Sequence, residues 1–207
     1  MDPCLPIRTP GNAGTDLELR ALDRSDFPLL MRWLAAPHVG RWFRRPADAA
    51  AVEAKYGPRV DGTAPIRMCL ILVAGEPVGL IQGYRLADYP IWAGALSLDE
   101  PNAGGIDYLI GEPEMCGRGV GSAAIRAFTA RLFDADPQLS AVVAVPQCDN
   151  VASRRALEKA GYSLVDERRV DSDDPADVGP SAIYSARRPR RLAGAVPVRR
   201  RSGPLRS

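Results

Sequence analysis

One histidine and four cysteines are the only imidazole and thiol groups in this 207-residue chain. No two of the cysteines (Cys4, Cys69, Cys116, Cys148) form a C-x-x-C pair. Such a set does not build a tetrahedral zinc site or a disulfide framework, so no metal is expected and the cytoplasm is the default compartment. There is no run of about eighteen apolar residues, so no membrane-spanning helix is expected. The opening segment, Met1 to Gly11, lacks the apolar stretch of a signal peptide. No internal repeat is visible. The length suits one good-sized core and is too short for two comfortable domains.

The net charge of +2 conceals an asymmetry. Residues 187–207 carry eight arginines and no acid, which leaves 19 bases against 25 acids in residues 1–186. The body is therefore acidic. The tail, with three prolines, two glycines and little that could pack, is expected to be a disordered, solvated extension without a nucleic-acid partner. Residues 1–15 are expected to be a flexible leader, and residues 16–186 the folded domain.

Patterning within the domain predicts a half-buried strand over 16–22 and a helix from Pro28 to Ala36 with Ser25 as cap. A second helix is predicted over Ala47–Tyr56, then strands 66–73 and 77–85 joined at Ala74-Gly-Glu. Residues 86–104 read as a long irregular insertion. Strand 105–111, helix 121–134, strand 140–145, helix 150–160 and strands near 162–170 and 180–186 follow. Pattern alone supports an α/β or α+β fold with a mixed sheet.

The chemistry concentrates where strand 105–111 meets helix 121–134, at Glu114-Met-Cys-Gly-Arg-Gly-Val-Gly-Ser122. Glycines at alternate positions (Gly117, Gly119, Gly121) leave backbone N–H groups uncovered, and the helix N-terminus adds partial positive charge. Such a turn can hold a pyrophosphate. The turn lacks the G-K-[ST] of a Walker loop and fails the G-x-G-x-x-G dinucleotide spacing. About thirty residues later stands Asn150-Val-Ala-Ser-Arg-Arg-Ala-Leu-Glu-Lys-Ala-Gly-Tyr162, a helix capped by Asp149 or Asn150 and stopped at Gly161.

These two motifs together resemble the GCN5-related N-acetyltransferase superfamily. The resemblance covers roughly residues 16–186 and implies the GNAT acyl-CoA N-acyltransferase fold, a central mixed α/β sheet flanked by helices. Three further stretches, Trp33 to Phe43, Gly75 to Gln82 and Gly105-Ile-Asp107, are similar to aminoglycoside 6′-N-acetyltransferases. The implied activity is acetyl transfer from acetyl-CoA to an amine of an aminoglycoside-type polycation, by direct attack in a ternary complex. Siderophore-assembly lysine or hydroxylysine N-acyltransferases share the tryptophan–histidine segment and are the rival. A non-catalytic CoA-binding relative is the non-enzyme alternative.

The resemblance also implies roles. Cys116, Gly117, Arg118, Gly119, Val120, Gly121 and Ser122 would hold the CoA diphosphate, with Asn150 nearby. Leu109 and Ile110 would lie along the pantetheine arm. Asp107 is the expected general base, because an ammonium must lose a proton before it attacks. Alternation supports that placement: Asp107 and Leu109 share one strand face, Ile106, Tyr108 and Ile110 the other. Trp42, Asp107, Tyr84, Asp99 and Glu100 are expected around the acceptor, and Asp171, Asp173, Asp174 and Asp177 could extend an acidic rim that attracts polycations. His38 reads as structural more readily than as a base. The chain departs from the family at three positions. Cys116 replaces a donor at the turn, Leu157 stands where a thiolate-protonating tyrosine is usual, and Val145 replaces an acid of the aminoglycoside branch. The acceptor is expected to be a small molecule and the protein a monomer or homodimer.

Overall fold

A computed structural model describes residues 9–10, 16–172 and 179–189. Its frame is one eight-stranded mixed sheet whose strands, numbered along the chain, lie side by side in the order 1-2-3-4-5-6-8-7. In chain order the strands are β1 (Thr9–Pro10), β2 (Asp16–Ala21), β3 (Ile66–Val73), β4 (Glu76–Arg85), β5 (Ala103–Ile110), β6 (Ala141–Ala144), β7 (Ser163–Arg169) and β8 (Pro180–Arg187). The helices are α1 (Phe27–Ala35), α2 (Pro37–Phe43), α3 (Ala49–Val60), α4 (Pro90–Leu96), α5 (Val120–Ala135) and α6 (Val151–Ala160).

The apolar run of β3 reflects burial on both faces. Cys69, Ile71 and Val73 pack with Ile125 and Phe128 of α5, whereas Met68, Leu70 and Leu72 pack with Leu30, Trp33 and Val52 of α1 and α3. Removing such side chains from water on both sides is what stabilises a central strand. A third cluster joins Leu96 of α4 to Ala141, Val143 and Ile183. The β3–β4 hairpin turns on Ala74 and Gly75, both at positive φ (53° and 85°), as a two-residue turn requires.

Several expectations need correction. Asp23, not Ser25, caps the first helical turn: its carboxylate accepts the Ser25 N–H at 2.8 Å and Asp26 completes a capping box. The helix predicted to end at Ala36 is followed at once by α2, since Pro37 ends α1 and suits the first position of a new helix. The helix predicted over Ala47–Tyr56 is shifted to Ala49–Val60, with Asp48 as its cap. The stretch 86–104 contains a 3₁₀ turn and α4, because Leu96 has a buried site to fill. Part of the supposed leader, Thr9–Pro10, pairs with β2. The folded body also extends past residue 186. Arg187 closes β8, and Arg188 donates to the carbonyls of Leu139 (2.8 Å) and Phe133 (2.6 Å). The remainder of the predicted tail lies outside the described residues. Cys69 is disulfide-bonded, whereas no disulfide framework was expected.

Candidate active site

The site follows from a divergence in the sheet. Parallel strands β5 and β6 pair only from Ala103 to Gly105 against Ala141 to Val143. Beyond Gly105, β5 keeps β4 on one side, while β6 pairs with β8 as far as Ala144 and then leaves through Pro146. The edge of β5 over 106–110 therefore faces open space. Two cavities occupy that space and share Trp42, Phe43, Tyr108, Leu109, Asn150 and Ser153 in their walls.

The larger of the two, about 420 Å³, runs from Leu109 and Ile110 to the glycine turn and the first turns of α6. The turn is carried on a rigid mount. Gly111 lies flush against the Trp33 indole, where an added Cβ would come within 2.2 Å of the ring. Glu112 accepts from Trp33 Nε1 at 2.8 Å and pairs with Arg32. These donors, the indole N–H first, hold the Glu112 carboxyl below the usual glutamate range. Gly117 and Gly119 adopt positive φ (74° and 85°), conformations that side chains resist. Gly121 needs no such freedom: it is helical, and the nearest atom to an added Cβ would be 3.8 Å away.

Helix α5 begins at Val120 with Gly119 as its cap and no capping side chain, so the N–H groups of Val120, Gly121 and Ser122 lack intrahelical acceptors. The Val120 side chain is buried in the core, which leaves only its N–H for a ligand. Ser122 Oγ donates to Gly119 O at 2.9 Å. Arg118 is exposed beside the turn, and Arg155 and Lys159 of α6 line the cavity. Open space above two left-handed glycines, an uncapped helix N-terminus and nearby cations fit a diphosphate. Cys116 lines this cavity but adds no cation. Asn150 caps α6 by accepting the Ser153 N–H at 3.2 Å and also lines both cavities. His38 Nε2 lies 3.0 Å from Ile110 O and ties α2 to the end of β5. That contact supports its structural reading.

On the other side of the shared wall is a tighter cavity of about 170 Å³, and a wider outer one of about 520 Å³ shares Asp107 with it. Asp107 lies on the α3 side of the sheet with Leu109, as alternation predicts. Its Oδ2 accepts from Gln82 Nε2 at 2.6 Å, and Gln82 Oε1 accepts from Arg59 Nη1 at 2.6 Å. This relay fixes the amide so that its N–H₂ must face the carboxylate. Trp42 lines the inner cavity, with the Arg41 guanidinium 4.6 Å from its ring centroid. Tyr84 lines the outer cavity, edge-on to Tyr89 with centroids 5.1 Å apart.

Among the described residues, two of the acids expected in the rim stand away from the cleft. Glu100 pairs with Arg187 at 2.7 Å and accepts from Ser140 Oγ at 3.2 Å, near the start of β5 and away from the cleft. Asp99 lines none of the three cavities, and Asp173, Asp174 and Asp177 lie outside the described residues. Asp171 does reach the outer cavity, as does Asp88. The inner walls instead carry Arg45, Lys55 and Arg59. Composition could not reveal this, since it averages charge over the whole surface. A hydroxyl pair was also missed: Tyr108 Oη and Ser153 Oγ sit 2.6 Å apart in the wall common to both cavities. Burial pushes the Tyr108 phenol above its ordinary value. Leu157, at the family's tyrosine position, is buried in the core.

Residues 23–170 match the profile of the acetyltransferase (GNAT) domain family. The chain belongs to that family. It is 29% identical over 156 residues to aminoglycoside N(6′)-acetyltransferase type 1 of Klebsiella pneumoniae, covering 73% of this chain and 76% of the relative. The protein of that name from Serratia marcescens matches equally. Among solved structures, aminoglycoside acetyltransferase AAC(6′)-Ib with coenzyme A and kanamycin superposes with a TM-score of 0.67 at 27% identity, over 83% of this chain and 95% of the other. An uncharacterised protein from Bacillus halodurans, at 20% identity and a TM-score of 0.73, shares the fold over 89% of this chain and 91% of its own. Among the described residues, no helix is long and apolar enough to cross a membrane and no acid–His–Cys group could hold a metal.

Proposed function

We propose that this GNAT protein transfers acetyl from acetyl-CoA to an amine of an aminoglycoside-type acceptor. The observation that carries the reading is the shared wall: the cavity leading from the glycine turn adjoins, through Trp42, Tyr108, Leu109 and Ser153, the cavity that holds Asp107. The relatives named above support the acceptor class.

When bound, acetyl-CoA supplies the acetyl thioester and a thiolate leaving group. The N–H groups of Val120, Gly121 and Ser122, with Arg118, Arg155 and Lys159, hold its diphosphate. Asp107, oriented by Gln82, takes the proton that the acceptor amine must lose to attack the carbonyl carbon. As the N–C bond forms and the C–S bond breaks, CoA would leave as a thiolate that takes its proton from solvent, while the Tyr108–Ser153 hydroxyl pair in the shared wall would donate a hydrogen bond to the sulfur. The test is thiol release by the purified protein with acetyl-CoA and kanamycin-type, carboxylated or lysine-derived amines. Turnover of an amino sugar is expected; turnover of lysine-derived amines alone would move the assignment to the siderophore-type rival.

A further inference from the structure

Three basic side chains converge on the cavity that holds Asp107. Arg45 precedes α3, while Lys55 and Arg59, four residues apart, project from one side of that helix. All three line the inner and outer cavities alike. The inner cavity sets a single carboxylate against them, Asp107, and that group already accepts from Gln82. Asp88 and Asp171 join only in the outer cavity. Val145 lines both, at the place where the family resemblance leads one to expect an acid.

Lys55 makes no ion pair among the described residues; its Nζ rests 5.8 Å from the Tyr56 ring centroid. Burial first, then the charges of Arg45 and Arg59, lower its ammonium to about 7, and Asp107 offsets this only in part. Burial also lowers the Arg59 guanidinium. A plain polycation entering here meets like charge on α3. An acceptor that carries both an amine and an acid meets both signs.

We propose that the inner cavity binds an anionic substituent of the amine acceptor, a carboxylate or a phosphate, through Arg45, Lys55 and Arg59 while Asp107 faces the amine. The proposal deepens the acetyltransferase reading and rests on it. Within that acceptor class it favours an amine that also carries an acid.

The experiment is calorimetric titration of CoA-saturated protein, so that the diphosphate site is already filled. Three sugars serve as probes: glucosamine, muramic acid (the same amine with a carboxylate) and glucosamine 6-phosphate. At least one acid-bearing sugar is expected to bind tenfold or more tightly than glucosamine, and which one does so separates carboxylate from phosphate. Arg45→Gln and Lys55→Met should each cut that ratio at least threefold, and Lys55→Arg should restore it. Unchanged CoA affinity in each variant shows that the fold is intact. In the wild type the ratio should also fall as pH rises through and above about 7, as Lys55 loses its charge among Arg45, Arg59, Tyr56 and Asp107. A ratio of one or less, no heat with any of the three sugars, or a ratio indifferent to both variants would overturn the proposal. The acetyltransferase reading is judged separately by thiol release. Its failure alongside Lys55-dependent binding of muramic acid would leave the anion site standing.

Discussion

Replacing Asp107 by Asn removes the carboxylate while disturbing little else. Asparagine keeps the size and one carbonyl oxygen, so it can still accept the Gln82 N–H that now reaches Oδ2 at 2.6 Å, and the Arg59–Gln82 bond can persist. The glycine turn lies beyond the end of β5, anchored by Trp33 and Glu112, and is untouched. CoA affinity should therefore stay within about twofold of wild type. Turnover should fall by about 10²–10⁴, the usual contribution of a positioned acid–base group. At about 1.36 kcal/mol per decade, that is about 3–5 kcal/mol of barrier. Thiol release at saturating acetyl-CoA measures it directly. A variant without a base depends on amine already neutral in solution, so its deficit should shrink as pH rises. A loss below tenfold, or a deficit that ignores pH, would refute the argument and leave Asp107 a partner of Gln82 and no more.

Other outcomes follow from neighbouring features. Gly119→Ala places a side chain at φ 85°, at a cost of about 1–2 kcal/mol, and should raise the KM for acetyl-CoA about tenfold; an unchanged KM would remove the turn from cofactor binding. Tyr108→Phe should lower kcat by at least tenfold with both KM values nearly constant, and a change confined to Tm would mean that the phenol only packs. Glu112 has its carboxyl lowered by Trp33 and Arg32, so its contribution to stability is complete above the ordinary glutamate range and is lost as pH falls through the depressed value. Thermal melts from neutral to acid pH should accordingly show a shallower decline for Glu112→Gln than for wild type.

How much of this was legible before any tertiary structure depends on the range of the interaction involved. Helix α6 was readable because its signals are local: Asn150 caps it through the Ser153 N–H, and Gly161 ends it at φ 98°. The glycine turn was readable for the same reason, since positive φ at Gly117 and Gly119 is a demand of the backbone itself. Period-two alternation put Asp107 on the face shared with Leu109. Element boundaries near α2 and α4 were harder, because Leu96 forms helix to fill a site built by β6 and β8, far along the chain.

The residues alone thus determined the family, the turn and the strand that carries the carboxylate, all through contacts within a few positions of one another. Only the folded chain decided the character of the acceptor cleft. Arg45, Lys55 and Arg59 belong to a segment whose sequence says nothing of its destination, and β3 and β4 intervene before Asp107. Packing α3 against the sheet brings those charges to one cavity, while Glu100 is drawn off to Arg187 near the start of β5. Charge summed along a chain is blind to that arrangement, because electrostatic effect depends on separation in space and on how much water remains between the groups.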